Sequence, residues 1–251
     1  MNLFDLTGKK SVVTGGSRGL GRGIAEGLHE AGAEVVIIGS SDEVFTTAEE
    51  MNKTGSKVYA VKGDLGDRGQ ITDIFNQAIG ILGTVDILVN NAGIQSLHKS
   101  EEFPLDVWDK VLQINLTTTF QLCQLAGKIM LERGSGKIIN VASMNCFVTA
   151  QKIIAYVASK SAVGQITKAL ANEWGGRGVN INAIAPGYFD TTLTSFIHQD
   201  SEREKLIESR IPMERWGTPN DLKGAAIFLA SDASAYVNGI VLPVDGGYLS
   251  R

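Results

Sequence analysis

Cysteine is scarce. Cys123 and Cys146 are the two thiols in 251 residues, far apart and without CxxC or Cys/His spacing, so neither a disulfide framework nor a thiolate metal site is expected. The three histidines, His29, His98 and His198, have no metal-ligand spacing and read as surface or packing residues. No metal is expected. An excess of positive charge is also missing: the net charge is −4 and the basic residues are scattered, which argues against nucleic acid as a partner. Long apolar runs are lacking too, since the longest, such as Val35-Val36-Ile37-Ile38, fall far short of the roughly 20 residues a membrane helix needs. Met1 to Lys10 carries no apolar run after a basic start, so export is not expected and a reducing cytoplasmic location is. With five prolines, no Pro- or Ser-rich linker, no low-complexity tract and no long repeat, residues 1–251 read as a single domain.

What the chain does contain is an alternation. Apolar residues make up 43% and charged residues 20%, ordinary for a globular protein, while 29 glycines point to tight turns and close backbone approaches. Short β-branched runs at Ser11–Thr14, Val35–Ile38, Val58–Val61, Ile87–Val89, Ile138–Val141, Val179–Ile184 and Ile240–Val244 alternate with segments of helical periodicity, among them Leu20–Ala31, Gln70–Leu82, Leu105–Glu132 and Ala155–Trp174. Strands that alternate with helices imply right-handed βαβ units, hence an α/β doubly wound parallel sheet with helices on both faces. Residues 188–215 are polar, without a strand signal, and are expected to form a lid over the cleft.

Two constellations carry chemistry. Thr14-Gly15-Gly16-Ser17-Arg18-Gly19-Leu20-Gly21 follows the first strand and opens the first helix. Glycines at 15, 19 and 21 let the chain turn and the backbone approach a pyrophosphate, which the helix N-terminus attracts. The second strand ends in Gly39-Ser40-Ser41 with no acid at its tip, and Arg18 lies nearby; between NADP and NAD this leans toward NADP, with Asp42 and Glu43 as the opposing signal. Tyr156 and Lys160 lie four apart on an expected helix, so their side chains share a face. An ammonium there would lower the phenol's pKa and let Tyr156 exchange a proton with an alcohol or carbonyl. Ser143 ends the fifth expected strand, where ligands bind in open α/β sheets, and could hydrogen-bond the same substrate oxygen.

Thr14-Gly15-xxx-Gly19-x-Gly21, Asp64, Asn90-Asn91-Ala92-Gly93, Asn115, Ser143, Tyr156-xxx-Lys160 and Pro186-Gly187, in this order, make the chain resemble the short-chain dehydrogenase/reductase family over essentially its whole length. The resemblance implies a Rossmann fold with a seven-stranded parallel sheet, NAD(P)-dependent hydride transfer between a secondary alcohol and a ketone, and a homotetramer. It implies that Asn115, Ser143, Tyr156 and Lys160 are catalytic, Asn115 holding a water that leads protons to Lys160. Cofactor contacts are implied for Gly15, Ser17, Arg18, Gly19, Leu20 and Gly21, for Ser40 at the second strand's tip, and for Asp64 and Leu65 at the adenine. Further along, Asn91, Ala92 and Gly93 would line the cofactor path, Tyr156 and Lys160 would meet the nicotinamide ribose, and Pro186, Gly187 and Thr191 would flank the nicotinamide.

Within the family the chain is most similar to the sugar-acid branch, the deoxygluconate and ketodeoxygluconate dehydrogenases, through Ala171-Asn172-Glu173-Trp174, Arg215-Trp216-Gly217 and Val244-Asp245-Gly246-Gly247-Tyr248. An aldonate needs a cation, and Lys152, one helical turn before Tyr156, is the candidate, beside Ser143 and Tyr156 at the substrate. Members of that branch often carry an arginine pair after Asn-Asn-Ala-Gly, where this chain reads Ile94-Gln95-Ser96-Leu97-His98; the lid cations Arg203 and Arg210 are the other candidates. The alternatives are a ketoacyl thioester reductase or other carbonyl reductase of the same family, and a nucleotide-sensing binding protein on the same scaffold.

Overall fold

The computed structural model describes residues 2–251 apart from Thr54, Leu193, Phe196 and Gln199; the last three belong to the expected lid, and there the expectation lies outside the described residues. The β-branched runs form β1 (Lys10–Thr14), β2 (Glu34–Gly39), β3 (Val58–Lys62), β4 (Ile87–Asn90), β5 (Gly136–Val141), β6 (Val179–Pro186) and β7 (Val241–Val244). They pair in parallel as one seven-stranded sheet in the order β3-β2-β1-β4-β5-β6-β7. The order reverses between β1 and β4, which opens a crevice at their C-terminal ends.

Alternate residues of one strand feed opposite faces. Val35 and Ile37 pack with Ile24 and Leu28 of α1 (Gly19–Glu30), Val44 of α2 (Glu43–Met51) and Leu222 of α8 (Asn220–Ala230). Val36 and Ile38 point the other way, into a core with Phe75 of α3 (Ile71–Leu82), Leu122 of α5 (Thr118–Arg133) and Trp174 of α6 (Ile154–Trp174). Both faces are therefore dry, as a parallel sheet requires. No helix among the described residues is long and apolar enough to cross a membrane.

The sequence and the structure differ over Leu105–Glu132. In place of one helix there are α4 (Leu105–Leu112) and α5, joined by a π-type turn at Gln113–Thr117. Thr118 fixes this irregularity, its Oγ1 donating to Gln113 O at 2.9 Å and Leu65 O at 2.8 Å. The extra residue projects Asn115 toward the crevice. A third, smaller apolar cluster stands apart from the sheet faces and joins Met144 to Ile197, Ile207, Ile211, Trp216 and Tyr248. It includes α7 (Ser201–Glu208) and ties part of segment 188–215 to the C-terminal turn.

Candidate active site

The crevice widens into a cleft of about 530 Å³ over the C-terminal ends of the strands. Its floor is set where β1 meets β4. The Thr14 hydroxyl accepts the N–H groups of Asn91 and Ala92, both at 3.0 Å, and the Asn91 carboxamide donates to Thr14 O at 3.0 Å and Gly15 O at 3.1 Å. The glycine turn is thus locked to the loop after β4. At Gly15 (φ +62) a Cβ would lie 2.9 Å from Asn91 Nδ2, and at Gly21 it would lie 2.1 Å from Gly15 O; neither position accepts a side chain.

The turn suits a pyrophosphate. Arg18 occupies the N-cap of α1 in an extended conformation, no described side chain caps the helix, and its first turn holds no acid. Its first N–H groups, beside a cleft lined by Gly15, Ser17, Arg18, Gly19, Leu20 and Gly21, keep their affinity for an anion. Farther along the same wall lie Ser40, Asp64 and Leu65, and toward the center Asn91, Ala92 and Gly93. Pro186, Gly187 and Thr191 line the opposite side. At the outer end Glu43 pairs with Arg18 at 3.5 Å and Asp42 with Lys62 at 2.8 Å, so both acids that follow β2 face cations.

Deeper in, α6 presents Tyr156 and Lys160 on one face, with Ser143 at the end of β5. Ser143 and Tyr156 line the same cleft, and the Ser143 hydroxyl favors the ionized phenol. Lys160, 4% exposed, donates from Nζ to Val141 O at 2.6 Å and lies 5.9 Å from the centroid of the Tyr156 ring. Asn115 is fully buried. Its Oδ1 accepts from Ile94 N at 2.8 Å, and its Nδ2 donates to Ile94 O at 2.9 Å and Ser159 Oγ at 3.0 Å. Ser159 Oγ in turn donates to Tyr156 O at 2.8 Å. The π-type turn thereby connects the loop after β4 to the helix carrying Tyr156. Lys160 Nζ and Asn115 Oδ1 would lie 3.5 and 3.2 Å from a Cβ at Gly93, so Gly93 keeps the path between them open.

The electrostatics correct one expectation. The sequence predicts that a neighboring ammonium lowers the Tyr156 phenol's pKa; instead burial raises it, with the Ser143 hydroxyl opposing the rise. Burial also pushes Lys160 down to about 8. In a site this dry, desolvation outweighs a cation that faces the ring and is bonded to a carbonyl rather than to the phenol oxygen. A second correction concerns Lys152. Helix α6 begins at Ile154, so Lys152 precedes it, at φ 67 in a turn whose carbonyl accepts from His98 N at 2.9 Å. Helical spacing therefore does not carry Lys152 toward Tyr156; the residue is exposed, and Gln151 and Ile153 line the cleft in its stead.

Sequence reasoning placed Thr14 in the glycine turn but not its bonds to the loop after β4, and it missed Ser159 and Tyr188 as parts of the site. The last lines the cleft and stacks edge-on against Trp216 and Tyr248, with centroids 5.3 and 5.4 Å apart. A buried serine one residue before Lys160 was the available signal for Ser159. Arg215-Trp216-Gly217 proves to be a brace: Arg215 grips Asp221 with two bonds of 2.9 and 2.7 Å, which holds that carboxyl well below the usual range, while Gly217 bridges to Phe189. His29 and His98 pack as expected, His98 against Phe103 at 5.1 Å. His198 lies against Trp216 at 4.6 Å, bonded to Glu204 and 3.5 Å from Asp190.

A family profile described as enoyl-(acyl carrier protein) reductase matches residues 15–249. Among curated relatives, a 2-dehydro-3-deoxy-D-gluconate 5-dehydrogenase of Pseudoalteromonas atlantica is 46% identical over 100% of both chains. A solved structure from Beutenbergia cavernae, provisionally described as an NAD(P)-dependent gluconate 5-dehydrogenase and holding NADP at low occupancy, superposes with a TM-score of 0.97 at 45% identity over 100% of both chains. A gluconate 5-dehydrogenase from Burkholderia cenocepacia, solved with NADP and tartrate, gives 0.95 at 37% identity over 100% of this chain and 98% of its own. With its seven-stranded sheet, its glycine turn at the switch point and these full-length likenesses, the chain belongs to the short-chain dehydrogenase/reductase family of NAD(P)-dependent oxidoreductases.

Proposed function

We propose that the protein interconverts a secondary alcohol and a ketone on a sugar acid of the gluconate or deoxygluconate class, with NADP as its cofactor. One observation carries this reading: the Tyr156 side chain, together with Ser143 and Lys160, lines the same cleft as the uncapped N-terminus of α1. The sugar-acid class rests on the relatives named above. NADP is supported by the absence of an acid at Ser40 and by the engagement of Asp42 and Glu43 with Lys62 and Arg18, which leaves Ser40 beside the adenosine end of the cleft.

The bound nicotinamide supplies or accepts the hydride. The protein's own residues handle the proton. Tyr156 gives its proton to the carbonyl oxygen during reduction and removes one from the hydroxyl during oxidation; Ser143 orients that oxygen. Lys160, pushed down to about 8 by burial, releases its proton more readily than an ordinary lysine and would hold the nicotinamide ribose. Asn115 holds Ile94 and Ser159, which fixes the helix turn that carries Tyr156. Residues 188–215 act as the lid over the substrate end.

Replacing Tyr156 with Phe is expected to lower kcat by ~100-fold or more while dinucleotide affinity changes little. The assay is nicotinamide absorbance with NADP and NAD in turn, on gluconate, 2-dehydro-3-deoxygluconate, neutral polyols and a ketoacyl thioester. Full activity in Tyr156→Phe, or turnover of the thioester alone, would overturn the proposal. A cytoplasmic homotetramer completes it. Cys123 and Cys146 are unpaired thiols, and exposed Phe120, Phe147, Ile154 and Tyr236 offer apolar area for subunit contacts, which light scattering measures.

A further inference from the structure

Among the described residues, four buried polar or charged side chains line the cleft: Ser17, Ser143, Asn145 and Lys160. Ser17 belongs to the glycine turn. Lys160 donates from Nζ to Val141 O at 2.6 Å. Ser143 caps the short turn Met144–Cys146, its Oγ accepting the Asn145 N–H at 3.2 Å, which leaves the hydroxyl proton to donate toward the substrate. Asn145 is the remaining member, and the proton chemistry above gives its side chain no part.

The backbone of Asn145 is fully engaged. Beside the bond to Ser143, its carbonyl accepts from Ser161 Oγ at 3.1 Å, so the turn is pinned to α6 on one side and to the catalytic hydroxyl on the other. The Asn145 carboxamide, by contrast, bonds to no described residue, although the residue is only 5% exposed. Nor does it belong with the unpartnered polar atoms that are sealed off, such as Asn90 Oδ1 and Gln121 Oε1. The carboxamide therefore retains exposure, and the space it opens on is the cleft. Leaving a nearly buried amide unpaired costs free energy, which a ligand group that pairs with it recovers.

We propose that the Asn145 carboxamide hydrogen-bonds the substrate hydroxyl on a carbon next to the one oxidized or reduced, and so selects polyhydroxy acids. This assignment rests on the sugar-acid reading above. Two residues span at most about 7 Å, so the carboxamide is within reach of the carbon beside the one whose oxygen meets Ser143 and Tyr156. A carboxamide both donates and accepts, and a hydroxyl does both in return. The methylene that a ketoacyl thioester places beside its ketone does neither and would leave the amide stranded. A site built to pair with a hydroxyl rejects the analogue that lacks it.

The test measures kcat/KM for D-gluconate and for its 4-deoxy and 6-deoxy analogues, each lacking a hydroxyl beside C5, in the wild type, Asn145→Ala and Asn145→Ser. C5 is the position named for the gluconate 5-dehydrogenase relative. The wild type should prefer gluconate over one of the analogues by ~10- to 100-fold. In Asn145→Ala that preference should shrink to about 3-fold or less, through KM for gluconate, with the analogue's constants little changed. Asn145→Ser keeps a shorter donor and acceptor and should recover part of it. Both substitutions leave in place the main-chain N–H that Ser143 accepts, and the carboxamide they remove has no described partner, so Tm should stay within about 2 °C of wild type. Undiminished preference in Asn145→Ala, an equal fall for gluconate and analogue, a Tm lowered well beyond that range, or no wild-type discrimination against either analogue overturns the assignment while sugar-acid turnover still stands. Failure of the wild type to turn over any sugar acid overturns the functional reading and this assignment together.

Discussion

A single methyl group distinguishes the glycines that shape the site from those that do not. In Gly21→Ala the new Cβ would lie 2.1 Å from Gly15 O and 2.3 Å from Asn91 Nδ2, and the first of these is backbone that cannot rotate away. The turn must widen and Asn91 must release the carbonyls of Thr14 and Gly15. Overpacking costs about 1–3 kcal/mol and the loosened hydrogen bonds about 1 kcal/mol more. At ~2–4 °C per kcal/mol for a chain of this size, Tm should fall by roughly 4–16 °C, and NADP affinity should fall with it. Gly80 on α3 has nothing within 4 Å of its would-be Cβ, is exposed, and adopts ordinary helical backbone. Gly80→Ala should raise Tm by roughly 1–4 °C, from about 0.5–1 kcal/mol of regained helix propensity. Differential scanning calorimetry of the two variants, with dinucleotide titration by fluorescence, reads both effects. A Gly21→Ala protein with wild-type Tm and affinity, or shifts of the same sign in the two variants, would refute the packing argument.

Two further outcomes follow from the buried polar groups. Asn115→Ala strands the Ile94 N–H and carbonyl and removes the donor to Ser159 Oγ, which keeps its own bond to Tyr156 O; a loss of about 1–3 kcal/mol in urea unfolding, with a fall in kcat, is expected, and wild-type values for both would refute the link to Tyr156. For Lys160 the folded pKa, about 8, lies below the ordinary lysine value of 10.5, so between those values the unfolded chain binds more protons and stability rises with pH. The cost of burying the ammonium is largest below pH 8, up to about 3 kcal/mol. Lys160→Met should remove that rise and be more stable than wild type at pH 7 while losing activity; an unchanged pH slope in urea unfolding would sink this account.

Strand positions were legible because their signal is local and strong. Val35 to Ile38 is apolar on both faces, and only a parallel strand covered on both sides accepts such a run. Helices α2 and α8 escaped notice for the opposite reason. Nine residues of Glu43–Met51 carry too few periods to register, and in Asn220–Ala230 every residue after Lys223 is small or apolar, so its buried face depends on contact with α1 and the sheet. The π-type turn at Gln113–Thr117 was invisible as well. Its periodicity differs from that of an α-helix by a single residue, and what stabilizes it, Thr118 reaching Leu65 O, comes from a segment more than 50 positions away in sequence.

The same distinction separates the parts of the site. Gly15, Ser143, Tyr156 and Lys160 meet in one cleft because each sits at the end of a strand or on a helix whose frame follows from its own sequence. Lys152 had no such frame: its place was inferred by extending α6 backward past Ile154, and a left-handed turn at that residue breaks the extension. Arg203 is the converse case. The sequence offered Arg203 and Arg210 alike as lid cations, and only the fold separates them: Arg203 lines the cleft, its place set by the Asp200 cap and by Ile207 packing on Met144 and Tyr248, contacts that join segment 188–215 to the catalytic loop and the C-terminal turn. Because Met144 directly follows Ser143, a change of the lid's apolar residues should be felt at the catalytic hydroxyl. Residues 197–216 and the catalytic loop are therefore joined through packing, and a sequence pattern that ends at the edge of each element cannot reveal that contact.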